Sequence, residues 1–317
     1  KWPIIPVGLI WAVLVYFLPW VVIPITILTA VLLKTKARVI WVRGALILRM
    51  MWKGHRGNYD IYHSNDLNTM PQGYVSAKWR FKKKPLIYDS HEVQTSRTGY
   101  DSPLYGFYPY VLHNYPTEQI SEVTEKIDLH AMLDLPPEEK ILLYQGGIQT
   151  GRGLDKLIEA YPKFKEGTLV FIGDGRIKEE LQQMVKERNL EEGIRFIPKV
   201  PLEDLPKYTR NGYLGFQVLN NVCFNHYSAS SNKLFEYMMA EVPVVACDFP
   251  EIKKVVEDNE IGVTVDSHDP DDIARGVNYI LEHPEERERF SKNCIPARRK
   301  YNWENEQENL LEVYEQF

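Results

Sequence analysis

The stretch Ile141-Leu142-Leu143-Tyr144-Gln145-Gly146-Gly147-Ile148-Gln149-Thr150-Gly151-Arg152-Gly153 joins an unbroken apolar run to four glycines and an arginine. An apolar run without alternation reads as a strand covered on both faces, the kind found in parallel sheets between helices. The apolar spacing after Gly153 predicts a helix over 154–164. Outward from there the pattern repeats: strand 168–172 ending in Gly173-Asp174-Gly175, helix 177–188, strand 194–197, short helix 202–210, and strand 213–218. Helix 233–239, strand 242–247, helix 252–257, strand 262–265 and helix 271–282 close the set. Strand and helix alternating at this spacing give an α/β fold with a doubly wound parallel sheet.

Glycines let a ligand approach the backbone closely, and the helix that follows directs free N–H groups and a positive dipole end towards it. Arg152 stands in the same loop and can fork onto phosphate oxygens. Close packing alone also explains many glycine-rich turns; the arginine and the second turn at Gly173 favour a ligand. A second anion site is read at Ser228-Ala229-Ser230-Ser231-Asn232-Lys233-Leu234-Phe235-Glu236, where small polar residues lead into a helix. Lys233 and Glu236 lie three apart on one helical face, as a surface ion pair or as a phosphate contact beside an acceptor for a ribose diol. Asp269-Pro270-Asp271-Asp272 resembles a metal-binding DxD but reads as a helix cap, with proline in the first turn; no metal site is expected.

No charged residue occurs from Trp2 to Leu33. That exceeds the roughly 20 residues of one span. Pro19 and Pro24 interrupt it, so a re-entrant or in-plane helical hairpin and one kinked crossing are both open. Lys34, Lys36, Arg38 and Arg43 follow and place that end in the cytoplasm; 38–51 reads as an interfacial helix. Strand 59–63, helix 67–80 and strand 85–89 then form a parallel unit. Asp66 sits at one strand end, as helix cap or substrate contact, and His91 at the other, where an acidic neighbour favours function. This first domain lacks a glycine-rich opening turn and is expected to be incomplete. The chain starts at Lys1, and residues are expected ahead of it.

The chain has 317 residues, 44% of them hydrophobic, and a net charge of −5. Interspersed charge gives no nucleic-acid footprint. Cys223, Cys247 and Cys294 stand far apart, without zinc-ligand spacing and against a disulfide framework.

Stretches 144–160 and 232–250, with Trp303-Glu304-Asn305 leading into 310–317, resemble the retaining family-4 glycosyltransferases, the group that includes sucrose-phosphate synthases and bacterial lipid mannosyltransferases. The resemblance implies a GT-B fold of two Rossmann-like domains facing a cleft, an acceptor domain at 39–116 and a donor domain at 117–317, behind the membrane segment that the apolar run places at 1–38. It implies a nucleotide-sugar donor (UDP- or GDP-sugar) with no other cofactor. Gly146, Gly147, Gly153 and Gly173 would surround the phosphates, Arg152 and Lys233 neutralise them, Leu234 lie beside them, and Glu236 hold the ribose. His91, with Asp66, would reach the sugar or acceptor. The family's second glutamate falls at Ser228 and its loop arginine at Gly147, two departures that leave the positive charge to Arg152 and Lys233. The implied reaction is a metal-independent, retaining transfer to a membrane-borne, lipid-linked acceptor. The alternatives are a non-catalytic membrane-bound partner subunit and a sugar-nucleotide epimerase of the same fold.

Overall fold

The computed structural model describes residues 4–34, 37–89, 112–123 and 125–316. The chain divides into two compact units, Lys1–Glu92 and Val93–Gln316.

The first unit opens with α1 (Ile4–Phe17), α2 (Pro19–Lys34) and α3 (Ala37–Gly57). Pro19 starts α2, where its missing N–H costs nothing. The Trp11 indole donates to Thr26 Oγ1 at 2.8 Å. On one continuous helix these residues would stand about 22 Å apart, so α1 and α2 fold back on each other at Leu18. Among the described residues no helix is long and apolar enough to cross a membrane.

On α3, Gly44, Ile47, Met51 and Gly54 make a half-buried stripe, while Val42, Leu46, Leu48 and Trp52 are exposed. β1 (Tyr62–Asn65) and β2 (Leu86–Asp89) pair in parallel from Tyr62↔Leu86 to Asn65↔Asp89, joined through α4 (Asp66–Lys78). The strand begins three residues later than its sequence suggests. The Tyr62 hydroxyl donates to the Gly54 carbonyl at 2.8 Å and accepts from Arg80 at 2.8 Å, and small, buried Ser64 faces Gly73 of α4.

The second unit begins with short turns α5 (Gln119–Glu122) and α6 (Leu129–Met132). It continues as β3 (Ile141–Gln145), α7 (Leu154–Ala160), β4 (Thr168–Ile172), α8 (Lys178–Glu187), β5 (Ile194–Ile197), α9 (Leu205–Thr209) and β6 (Leu214–Gln217). Then come α10 (Phe224–Tyr227), α11 (Asn232–Met239), β7 (Val244–Cys247), α12 (Pro250–Asp258), β8 (Gly262–Val265), α13 (Pro270–Glu282), α14 (Pro284–Lys300) and α15 (Trp303–Glu315). The six strands are parallel in the order β5-β4-β3-β6-β7-β8.

Side chains alternate across this sheet. Ile141, Leu143, Val170, Val244 and Ala246 join Leu234, Phe235, Ile252 and Cys294 in one core layer. Leu142, Tyr144, Phe171, Phe216 and Val245 join Leu154, Leu181 and Ile273 in the other. The strand order reverses between β3 and β6, and in open α/β sheets that is where ligands bind, at the carboxyl ends of the strands.

Residues 112–116 are held by this unit. His113 N–H donates to Glu306 at 2.6 Å, Trp303 N–H donates to the Pro116 carbonyl at 2.9 Å, and the Tyr115 ring packs on Phe235 and Tyr301. The sequence assigns this segment to the first domain because its apolar residues mimic another short strand.

Candidate active site

β3 runs straight into Gly146, whose φ of +120° only glycine adopts readily. A side chain at Gly173 would come within 2.0 Å of the Gly146 carbonyl, so the two glycine turns expected from the sequence pack directly on each other. Gly147 has only the Gln149 side chain near it, and its carbonyl accepts from the Tyr144 hydroxyl at 2.9 Å. Gly153, at φ +70°, stands at the start of α7 and leaves that helix end without a capping side chain.

Lys233 is the second residue of α11, two beyond the cap residue Ser231, and is only 8% exposed. Its Nζ donates to the Tyr144 hydroxyl at 2.9 Å and lies 4.2 Å from the ring centroid. A side chain at Gly146 would meet Nζ at 3.5 Å, so the amine stands over the first glycine turn. Burial lowers the Lys233 pKa to about 7; the charge of Arg152 acts in the same direction, and Glu236 opposes it. Arg152 is half-buried, and its guanidinium makes no hydrogen bond or ion pair among the described residues. Two cations thus sit together with too little negative charge between them.

One turn along α11, Glu236 accepts from Gln145 Nε2 at 2.7 Å. Burial raises its pKa, against the Gln145 hydrogen bond and the charge of Lys233. The side-chain oxygen Oε1 of Gln145 accepts from the Thr209 hydroxyl at 2.7 Å. Glu236, Gln145, Thr209, Asn232 and Asn114 are the polar part of a cavity of about 230 Å³, whose apolar walls include Leu205 and Pro206. That is a polar end in an apolar slot, the usual build of a small-molecule site.

The structure therefore gathers Gly146, Gly147, Arg152, Gly153, Gly173, Lys233 and Glu236 at one sheet edge. It does not bring Leu234 there: the side chain is buried in the core and its N–H donates to the Ser231 carbonyl at 3.0 Å. Asp66 is the first residue of α4, at the end of β1. His91 lies outside the described residues. Asp269 accepts from Asp271 N–H at 2.9 Å, with Pro270 in the first turn, so it caps α13 as expected. The sequence reading missed Tyr144, Gln145 and Thr209. A tyrosine and a glutamine ending an otherwise aliphatic strand were the available signal.

Fold and site together define a parallel α/β protein of the GT-B glycosyltransferase kind. The chain belongs to the family described as glycosyl transferases group 1, whose pattern matches residues 125–295. It is 30% identical over 195 residues to a D-inositol 3-phosphate glycosyltransferase of Thermomonospora curvata, covering 57% of this chain and 44% of that one. It is 27% identical over 179 residues to the N-acetylgalactosamine-N,N'-diacetylbacillosaminyl-diphospho-undecaprenol 4-alpha-N-acetylgalactosaminyltransferase of Campylobacter jejuni, covering 56% and 46%. Among solved structures, Anabaena HepE in complex with UDP matches with a TM-score of 0.70 at 15% identity, over 86% of this chain and 82% of that one. The chain spans about half the length of the curated relatives it matches.

Proposed function

We propose that the protein transfers a sugar from a nucleotide-sugar donor to a lipid-linked acceptor, with retention and without a metal. The observation that carries this reading is the pair Arg152 and Lys233 at the glycine turns, with Lys233 one turn of helix from the half-buried Glu236. A nucleoside diphosphate fits that arrangement. Its phosphates supply the missing negative charge, its ribose diol donates to Glu236, and its base enters the slot beside Leu205. As the sugar–phosphate bond breaks, charge grows on the leaving diphosphate, and pre-placed cations stabilise it. A phosphate oxygen held there can take the acceptor's proton, so the sugar is attacked from the face the diphosphate leaves. His91 and Asp66 keep the role the family resemblance implies, contact with sugar or acceptor.

The lipid-linked acceptor is supported by the N-terminal region. Residues 1–59 contain eight Lys and Arg and no Asp or Glu, and Trp11, Tyr16, Trp20, Ile40 and Leu48 are exposed. Exposed apolar and basic groups along the three helices α1, α2 and α3 suit the interface of an anionic bilayer. The C. jejuni relative, by its name, acts on a diphospho-undecaprenol-linked glycan. We infer membrane association with the catalytic domains on the cytoplasmic side.

The test is incubation of the protein with labelled UDP- or GDP-sugars and a membrane lipid extract. Label entering the organic phase, with nucleotide release, supports the proposal. An isomerised sugar nucleotide formed without acceptor makes it an epimerase. Absence of nucleotide release with every donor makes it a non-catalytic partner.

A further inference from the structure

The donor reading gives the sugar ring no partner from the second unit, because the residue at the family's glutamate position is Ser228. The proton of that residue is already committed. The Ser228 hydroxyl donates to the Phe224 carbonyl at 2.9 Å, within its own turn.

Two residues upstream, His226 lies against the glycine loop. A side chain at Gly151 would meet its Cε1 at 2.8 Å and its Nδ1 at 3.0 Å, so the glycine is what admits the imidazole. Nδ1 stands 3.2 Å from the Asn220 carbonyl, which fixes the proton on that nitrogen and leaves Nε2 as an acceptor. Burial, with the charges of Arg152 and Lys233, lowers the His226 pKa and keeps the ring neutral, although hydrogen bonds to the backbone oppose this. Beside it, Asn225 Oδ1 is buried with no partner among the described residues. Both residues sit on α10, whose Phe224 and Tyr227 are exposed and offer apolar surface beside them. Hydroxyl acceptors next to exposed rings match a sugar, which donates from its hydroxyls and packs through its C–H face.

We propose that His226 and Asn225, at the α10 turn, bind the hydroxyls of the transferred sugar in place of the residue at 228. This rests on the donor reading above. The experiment is calorimetric titration of wild type, His226→Ala, His226→Gln and Asn225→Ala with UDP, UDP-glucose, UDP-N-acetylglucosamine, GDP and GDP-mannose. Nucleotide alone should bind wild type and all three variants within about twofold, since no base, ribose or phosphate contact is removed; retained binding also shows that the variants fold. The added affinity that wild type gains from the attached sugar should fall about five- to tenfold in each alanine variant, the worth of one neutral hydrogen bond, and recover in part in His226→Gln. The proposal is overturned if the variants keep that gain, or if wild type binds a nucleotide but gains nothing from any sugar. If wild type binds neither UDP nor GDP, the donor reading itself fails and takes this one with it.

Discussion

Replacing Lys233 by methionine should make the protein more stable and unable to hold a nucleotide. The ammonium is buried over the glycine turn with Arg152 acting against it, which lowers its pKa from 10.5 to about 7. At about 1.36 kcal/mol per pH unit, that corresponds to roughly 5 kcal/mol set against folding while the unfolded chain holds the proton. Methionine fills the volume of the lysine stem. It gives up the hydrogen bond to Tyr144, worth about 1 kcal/mol, but the Tyr144 hydroxyl keeps the Gly147 carbonyl. The net gain expected at pH 7 is about 2–4 kcal/mol.

The sign can be checked against pH. The folded-state pKa is depressed, so between about 7 and 10.5 the unfolded chain binds one more proton, and wild-type stability rises with pH across that window. The advantage of Lys233→Met is therefore full below pH 7 and shrinks towards zero by about pH 9.5. Urea unfolding of both proteins at pH 6.5, 8 and 9.5 measures it. A variant no more stable than wild type at pH 6.5, or an advantage that does not change with pH, refutes the reasoning.

Glu236→Ala should weaken nucleotide binding by about 2–3 kcal/mol, the worth of a charged hydrogen bond to the ribose; unchanged affinity in a thermal-shift titration removes the ribose assignment. Nucleotide binding should take up a proton at pH 8, because the diphosphate restores the charge on Lys233; calorimetry in buffers of different ionisation enthalpy reads this, and an absence of uptake contradicts it. Gly173→Ala should destabilise the second unit by about 3 kcal/mol or more, since its Cβ meets the Gly146 carbonyl at 2.0 Å; thermal unfolding within about 0.5 kcal/mol of wild type would show that the turns do not interlock. The protein should sediment with vesicles containing phosphatidylglycerol, and do so less as salt rises, while leaving phosphatidylcholine vesicles largely unoccupied; equal binding to both speaks against the basic surface.

The regular half of the fold is legible because its strands are unbroken apolar runs and its turns are glycines. Ile141–Gln145, Thr168–Ile172 and Ile194–Ile197 are strands where the sequence puts them. α14 escapes notice: Phe290, Cys294 and Ala297 are its buried residues, most of the rest are charged or polar, and Pro296 stands inside it like a stop signal. The sequence ends the first strand at His63 because Ser64 and Asn65 look like a loop, although both belong to β1, where Tyr62 and Ser64 turn inward. The cations of the site could be picked from spacing, since Arg152 follows glycines and Lys233 opens a helix. Their neighbours could not. Gln145 meets Glu236 and Thr209 across 91 and 64 residues of sequence, and Lys233 meets Tyr144 across 89, because the sheet order sets β3 beside β6. The hairpin at Leu18 likewise depended on a contact, Trp11 to Thr26, that two prolines alone do not specify.

A crystal of the protein grown with UDP or GDP bears most directly on the central claim. The account predicts the diphosphate between Arg152 and Lys233 over Gly146, with the ribose hydroxyls on Glu236. A nucleotide bound elsewhere, or a diphosphate that touches neither cation, would contradict it.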